Sequence, residues 1–177
     1  MCGIAGIINF SGATPPKPLL TKMTDIIEHR GPDGAGDYFS NGVAFGHRRL
    51  SIIDLAGGHQ PMVSSDERVS ITYNGEIYNF PELREELKSL GYTFSTSSDT
   101  EVILLAYHAW GPKSVERIRG MFAYAIHDKQ KNEVFITRDR LGIKPLFYAE
   151  LADNNFVFGS ELKSLALHPN FNNSLRN

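Results

Sequence analysis

The 177-residue chain is 41% hydrophobic and carries 18 Lys and Arg against 20 Asp and Glu, a formal charge of −2. That length suits one domain with a real core, and the near-neutral balance excludes the global basic field that draws nucleic acid or anionic lipid. One cysteine and six scattered histidines offer neither an intramolecular disulfide nor zinc-ligand spacing, and no signal peptide or long apolar run is present, so a cytoplasmic protein without metal or membrane attachment is expected.

Ile4 to Phe10 is apolar apart from Gly6 and Asn9, which predicts a buried strand starting almost at the terminus. After Pro15-Pro16-Lys17-Pro18, the residues Leu19, Leu20, Met23, Ile26 and Ile27 recur at helical spacing, with an expected end near His29. Gly42 to Leu50 and Val69 to Tyr73 read as strands, and each runs into a polar cluster, Arg48-Arg49 and Asn74-Gly75-Glu76. Leu83, Leu87 and Leu90 mark a helix capped by Gly91. A second helix opens at Ser98-Asp99-Thr100-Glu101, which has the form of a capping box and puts Asp99 in the first turn; Gly111-Pro112 stops it.

Met121 to His127 and Glu133 to Thr137 form a predicted hairpin, followed by strands at Leu146 to Ala149 and Phe156 to Phe158 and a short helix around Glu161 to Leu167. Short turns between the later strands favour antiparallel sheets covered by helices over a doubly wound parallel fold. The polar tract from His168 to Asn177 is expected to be a domain end or an interrupted linker.

Cys2 has a chemical opportunity that an internal cysteine lacks. Removal of Met1 would leave its thiol beside a free α-amine, so one residue would hold both nucleophile and base. An α-amine ordinarily titrates near ~7.7–8.0 and a thiol near ~8.5, close enough to exchange a proton around neutral pH. The competing reading is a small buried hydrophobe at the start of a strand. Likewise Asn74-Gly75 alone is a turn signal, and Arg49 and Asp99 alone read as a surface cation and a carboxylate at a helix N-terminus. His29 and His47, each next to an arginine, are read as structural hydrogen-bonding groups.

Taken together, Cys2-Gly3-Ile4, His29-Arg30-Gly31-Pro32-Asp33-Gly34, Arg49-Leu50-Ser51-Ile52-Ile53-Asp54, Asn74-Gly75-Glu76-Ile77-Tyr78-Asn79 and Ser98-Asp99-Thr100-Glu101 follow the order of class II glutamine amidotransferases. The chain resembles most the N-terminal domain of glutamine-hydrolysing asparagine synthetases, through Gly120-Met121-Phe122-Ala123, Arg138-Asp139, Gly142-Ile143-Lys144-Pro145-Leu146-Phe147-Tyr148 and Ser160-Glu161-Leu162-Lys163. This resemblance implies an α+β fold, the four-layer αββα N-terminal-nucleophile hydrolase sandwich of two mainly antiparallel sheets, over residues 1–177.

It also implies a site. Cys2 would attack the carboxamide of L-glutamine, and the Asn74 amide with the Gly75 N–H would hold the oxyanion. Arg49 would bind the α-carboxylate and Asp99 the α-ammonium. Glu76 would assist at the amine or order the pocket, the backbone near Ile52 and Ile53 would contact the ligand, and the loop from Gly31 to Gly34 would shape the margin of the site. No cofactor is expected in this domain. ATP and Mg belong, by resemblance, to a synthetase domain in cis, which would take the ammonia to aspartate by default, and a homodimer could form through the full-length protein. The alternative from another class is a catalytically silent domain that docks on a synthetase and regulates it.

Overall fold

The computed structural model describes residues 1–50 and 58–172. In chain order its elements are β1 (Gly3–Asn9), α1 (Lys17–Asp25), β2 (Gly34–Ser40), β3 (Val43–Arg49), β4 (Met62–Val63), β5 (Val69–Ile77), α2 (Phe80–Ser89), α3 (Asp99–Trp110), β6 (Gly120–Asp128), β7 (Glu133–Arg138), β8 (Phe147–Glu150), β9 (Asn155–Gly159) and α4 (Leu162–Leu165), with 3-10 turns at Glu28–Arg30 and Gly111–Glu116. The residues group into two compact units, one from Met1–Leu50 and Pro145–Asn177 and the other from Ser51–Lys144. Each has its own sheet, helices and core. Among the described residues no helix is long and apolar enough to cross a membrane.

The first unit holds an antiparallel sheet of order β2-β3-β1-β9-β8. Side chains alternate across a strand, so Ala5 and Ile7 of β1 and Ala44 of β3 join Leu20, Met23 and Ile27 in a core beneath α1. The other face carries the ladder partners Ile4 and His47, and Gly6 and Phe45. Cys2 and Arg49 share the parity of Ile4 and His47. Extending the register by one step from Gly3 and Arg48 places Cys2 opposite Arg49.

The second unit holds an antiparallel sheet of order β4-β5-β6-β7. Val69, Ile71, Tyr73 and Ile77 of β5 and Phe122, Tyr124 and Ile126 of β6 pack with Leu83 and Leu87 of α2 and Val102, Ile103 and Tyr107 of α3. Ser98 caps α3, its Oγ accepting the Thr100 N–H at 3.1 Å. Glu101 does not close the predicted capping box on Ser98. Its carboxylate accepts the N–H groups of Ser95 (2.8 Å) and Thr96 (2.7 Å), which binds the preceding loop to the helix instead.

Two strands have no counterpart in the sequence expectation. β2 and β4 are both edge strands, and an edge strand needs no alternating apolar pattern; Gly34-Ala35-Gly36-Asp37 has none. β5 also runs on through Asn74-Gly75-Glu76 instead of turning there, with Asn74 opposite Ala123 and Gly75 opposite Phe122.

Asp139, 5% exposed, organises the end of β7. Its Oδ1 accepts the Ile143 N–H at 2.8 Å and its Oδ2 the N–H groups of Lys144 at 3.0 Å and Phe122 at 3.2 Å. Burial alone would raise its pKa, yet these donors outweigh it and hold the carboxyl below its ordinary value. A depressed folded-state pKa gives stability that is complete above the unfolded value of about 3.9 and is lost as pH falls through the folded one. Asp139→Asn should therefore melt below wild type at pH 7, and the gap in Tm should close as pH drops under about 4. Melting curves from pH 7 downward check this, and a gap independent of pH would contradict it.

Candidate active site

In the first unit the site residues gather where the N-terminus meets the end of β3. Cys2 lies one residue outside β1 and is half-buried. Its Sγ accepts the Leu50 N–H at 3.3 Å and its S–H faces the Leu50 carbonyl at 3.6 Å. The Cys2 carbonyl accepts from Arg30 Nε at 3.1 Å. Ile4 is tied on both sides to Ser160, donating its N–H to Ser160 Oγ at 3.0 Å and accepting the Ser160 N–H at 2.9 Å. Met1 ahead of them is 55% exposed.

Arg49 ends β3 and is 8% exposed. The segment from Gly31 to Gly34 is stitched alongside it: Pro32 bridges to Arg49, and the Asp33 N–H donates to the Arg49 carbonyl at 3.0 Å. Gly31 has to be glycine there, since a Cβ would lie 2.6 Å from the Arg49 carbonyl carbon. His47 is fully buried. Burial first, and then the Arg49 charge, push its pKa down to about 3, so its imidazole is neutral near pH 7. His29 turns outward, its Nε2 2.8 Å from Glu161 Oε1.

The second unit carries the remaining candidates. Asn74 is 1% exposed, and among the described residues its Nδ2 has no acceptor. A buried donor left idle costs about 1–3 kcal/mol, so it calls for an explanation. Gly75 beside it packs against β6 so closely that a Cβ would clash with the Met121 carbonyl oxygen and approach Phe122 Cα to 2.8 Å. Packing alone thus demands glycine at 75. Glu76 is exposed.

Asp99 opens α3 at 5% exposure. Burial raises its pKa, opposed by hydrogen bonds from Tyr73 Oη at 2.7 Å and the Ile77 N–H at 3.2 Å, both to Oδ2. A buried carboxylate in that state gains from a cationic partner. These two bonds also fasten α3 to β5 on either side of Asn74-Gly75-Glu76.

Cys2 and Arg49 therefore fall together in the first unit, and Asn74, Gly75, Glu76 and Asp99 in the second. Ile52 and Ile53 lie outside the described residues. Sequence reasoning gave no role to Tyr73, Ser160 or Glu161. Tyr73 adjoins Asn74, and Ser160-Glu161 is part of a quoted motif, but the residues they hold are distant in sequence and only the fold connects them.

Comparison with known proteins identifies the family. A family model described as a glutamine amidotransferase domain matches residues 1–177. The chain is 42% identical over 172 residues to Bacillus subtilis asparagine synthetase [glutamine-hydrolyzing] 3, covering 96% of this chain and 28% of that protein. It is 46% identical over 172 residues to asparagine synthetase [glutamine-hydrolyzing] 2 of the same organism, covering 96% of this chain and 23% of that one. The chain thus spans about a quarter of the length of these relatives. The solved glutamine phosphoribosylpyrophosphate amidotransferase of B. subtilis superposes with a TM-score of 0.77 at 22% identity, over 94% of this chain and 43% of that one. That likeness carries the fold, the α+β arrangement of antiparallel sheets and helices expected for an N-terminal-nucleophile hydrolase. By sequence and by fold, the chain belongs to the glutamine amidotransferase domain family.

Proposed function

We propose that the chain hydrolyses L-glutamine to L-glutamate and ammonia, with Cys2 as nucleophile once Met1 is removed. In the longer protein that carries it, the ammonia feeds an ATP-dependent amidation in a cytoplasmic synthetase domain, by default aspartate to asparagine. The observation that carries the reading is the position of the Cys2 sulfur, half-buried, bonded to the Leu50 backbone and one residue behind an exposed Met1. The names of the relatives, glutamine-hydrolyzing asparagine synthetases, supply substrate and parent activity.

The steps balance as acyl transfer to water. The free α-amine takes the thiol proton, sulfur adds to the amide carbon, and the oxygen becomes an oxyanion. Asn74 Nδ2–H, a donor without an acceptor among the described residues, and the Gly75 N–H are assigned to that charge. Collapse breaks the C–N bond as the α-ammonium gives its proton to the departing nitrogen, which leaves as ammonia. Water then adds to the thioester carbon with the same amine taking its proton, the C–S bond breaks, and the proton passes to sulfur, releasing glutamate and restoring the Cys2 thiol. Arg49 takes the α-carboxylate as a planar fork suits it, Asp99 takes the α-ammonium, and Glu76 supports the amine.

Intact mass and covalent labelling test this reading. The active protein should be lighter by one methionine residue, and a chloroketone analogue of glutamine should modify it once, at Cys2, with glutamine protecting. Glutamate release from protein that retains Met1 quantitatively would refute the terminal-amine mechanism.

A further inference from the structure

We propose that Glu161 is a positioning residue for the terminal nucleophile: acting through the Arg30 guanidinium, it fixes the carbonyl of Cys2 and with it the backbone that aims the thiol and the α-nitrogen. The inference rests on the glutaminase reading and deepens it. A nucleophile at a chain end has a peptide bond on one side only, and chain ends fray unless tied down. Cys2, outside the β1 ladder, depends on local ties. Its sulfur bonds to Leu50; its carbonyl bonds to Arg30 Nε at 3.1 Å.

Arg30 sits in a 3-10 turn and needs an anchor of its own. Its Nη1 reaches Glu161 Oε1 at 3.1 Å, with the Arg30 side chain 10% exposed and that of Glu161 24%. Among the described residues Arg30 Nη2 is buried without an acceptor, so the guanidinium is held by the Cys2 carbonyl at one edge and by Glu161 at the other.

Glu161 is itself held in place. His29 Nε2 approaches the same Oε1 at 2.8 Å, and Lys163 Nζ lies 3.1 Å from Oε2. Burial works to raise its carboxyl, but Arg30, Lys163 and His29 together hold it below the ordinary carboxylate value. The adjacent Ser160 binds Ile4 through two further hydrogen bonds. Residues 160 and 161 therefore govern residues 2 to 4, one by direct backbone pairing and the other through a charge-assisted relay.

Three variants of the full chain separate positioning from general stability. Glu161→Ala removes the anchor. Glu161→Gln keeps an acceptor for Arg30 Nη1. Ser164→Ala is the control, because it removes the bond from Ser164 Oγ to the Met23 carbonyl at 2.7 Å and loosens α4 without touching Arg30. A misplacement near 1 Å at reacting atoms costs on the order of 10²-fold. Glu161→Ala should accordingly lower kcat for glutamine about 10- to 100-fold with KM nearly unchanged, and speed hydrogen exchange in the peptide covering residues 2–4. Glu161→Gln should recover most of kcat. Ser164→Ala should lower Tm with little change in kcat or in that exchange. An unchanged kcat in Glu161→Ala, or an equal loss in Ser164→Ala, overturns the proposal. If wild type releases no more glutamate than Cys2→Ala, the glutaminase reading fails on its own, and exchange at residues 2–4 still decides whether Glu161 holds the terminus.

Discussion

Cys2→Ala should release glutamate at least ~10³-fold more slowly than wild type, since removal of an acyl-transfer nucleophile leaves only what binding and oxyanion stabilisation contribute. The change should cost little stability. Cys2 is half-buried, lies outside the β1 ladder and is held by weak sulfur contacts to Leu50, so Tm should move by no more than a few degrees. Cys2 is also the only cysteine in the chain, so thiol labelling should vanish with it. A companion chain whose N-terminus carries an uncleavable extension keeps the thiol but acylates the amine, and should lose about 10²- to 10⁴-fold of the rate, the usual value of a positioned acid–base group. The comparison reads the two halves of the mechanism separately. Equal glutamate release from wild type and Cys2→Ala would leave the chain as a docking domain.

The parts of the fold that could be read from the residues are those in which burial dictates residue type. The hairpin of β6 and β7 was legible as two apolar, β-rich runs, of which Phe122, Tyr124, Ile126 and Phe135 join the core with α3, and its observed bounds, Gly120–Asp128 and Glu133–Arg138, are within one residue of the expected ones. β2 was hidden because it lies at a sheet edge, where Gly34-Ala35-Gly36-Asp37 needs no pattern. Asn74-Gly75 misleads locally for a different reason. The dipeptide favours a turn, but tertiary pairing with Ala123 and Phe122 keeps it extended, and the absent Cβ at 75 admits the Met121 carbonyl.

The same division holds at the site. The residues proposed to meet the substrate came from motif order and the family resemblance, which answer what a free amino acid calls for: a cation, an anion and an oxyanion donor. The groups that hold those residues could not be read that way. Glu161 lies 131 residues from Arg30, and Tyr73 lies 26 residues from Asp99. Nothing local to Glu161 signals that its carboxylate collects Arg30, His29 and Lys163. Ser98-Asp99-Thr100-Glu101 shows the limit from the other side: the motif starts the helix as expected, while Glu101 takes the donors of Ser95 and Thr96, a choice set by how the preceding loop folds back.

Asn74→Ala should lower kcat for glutamine by about 10²- to 10³-fold, equivalent to about 2.7–4 kcal/mol of transition-state stabilisation, with a much smaller change in KM. The split follows from what the amide lacks. A donor that already served the folded protein would have a partner, and its loss would show in Tm; Asn74 Nδ2 is buried with no acceptor among the described residues, so its desolvation is uncompensated until charge develops on a ligand oxygen. Deleting it removes that penalty along with some packing, and Tm should stay within a few degrees of wild type. Asn74→Asp sharpens the test. It keeps the shape but replaces the donor with an acceptor that carries negative charge, so it should be at least as slow as Asn74→Ala, where a purely steric role would leave it close to wild type. A fall in Tm of ten degrees or more with kcat preserved in Asn74→Ala would reassign this side chain from the chemistry to the packing of β5.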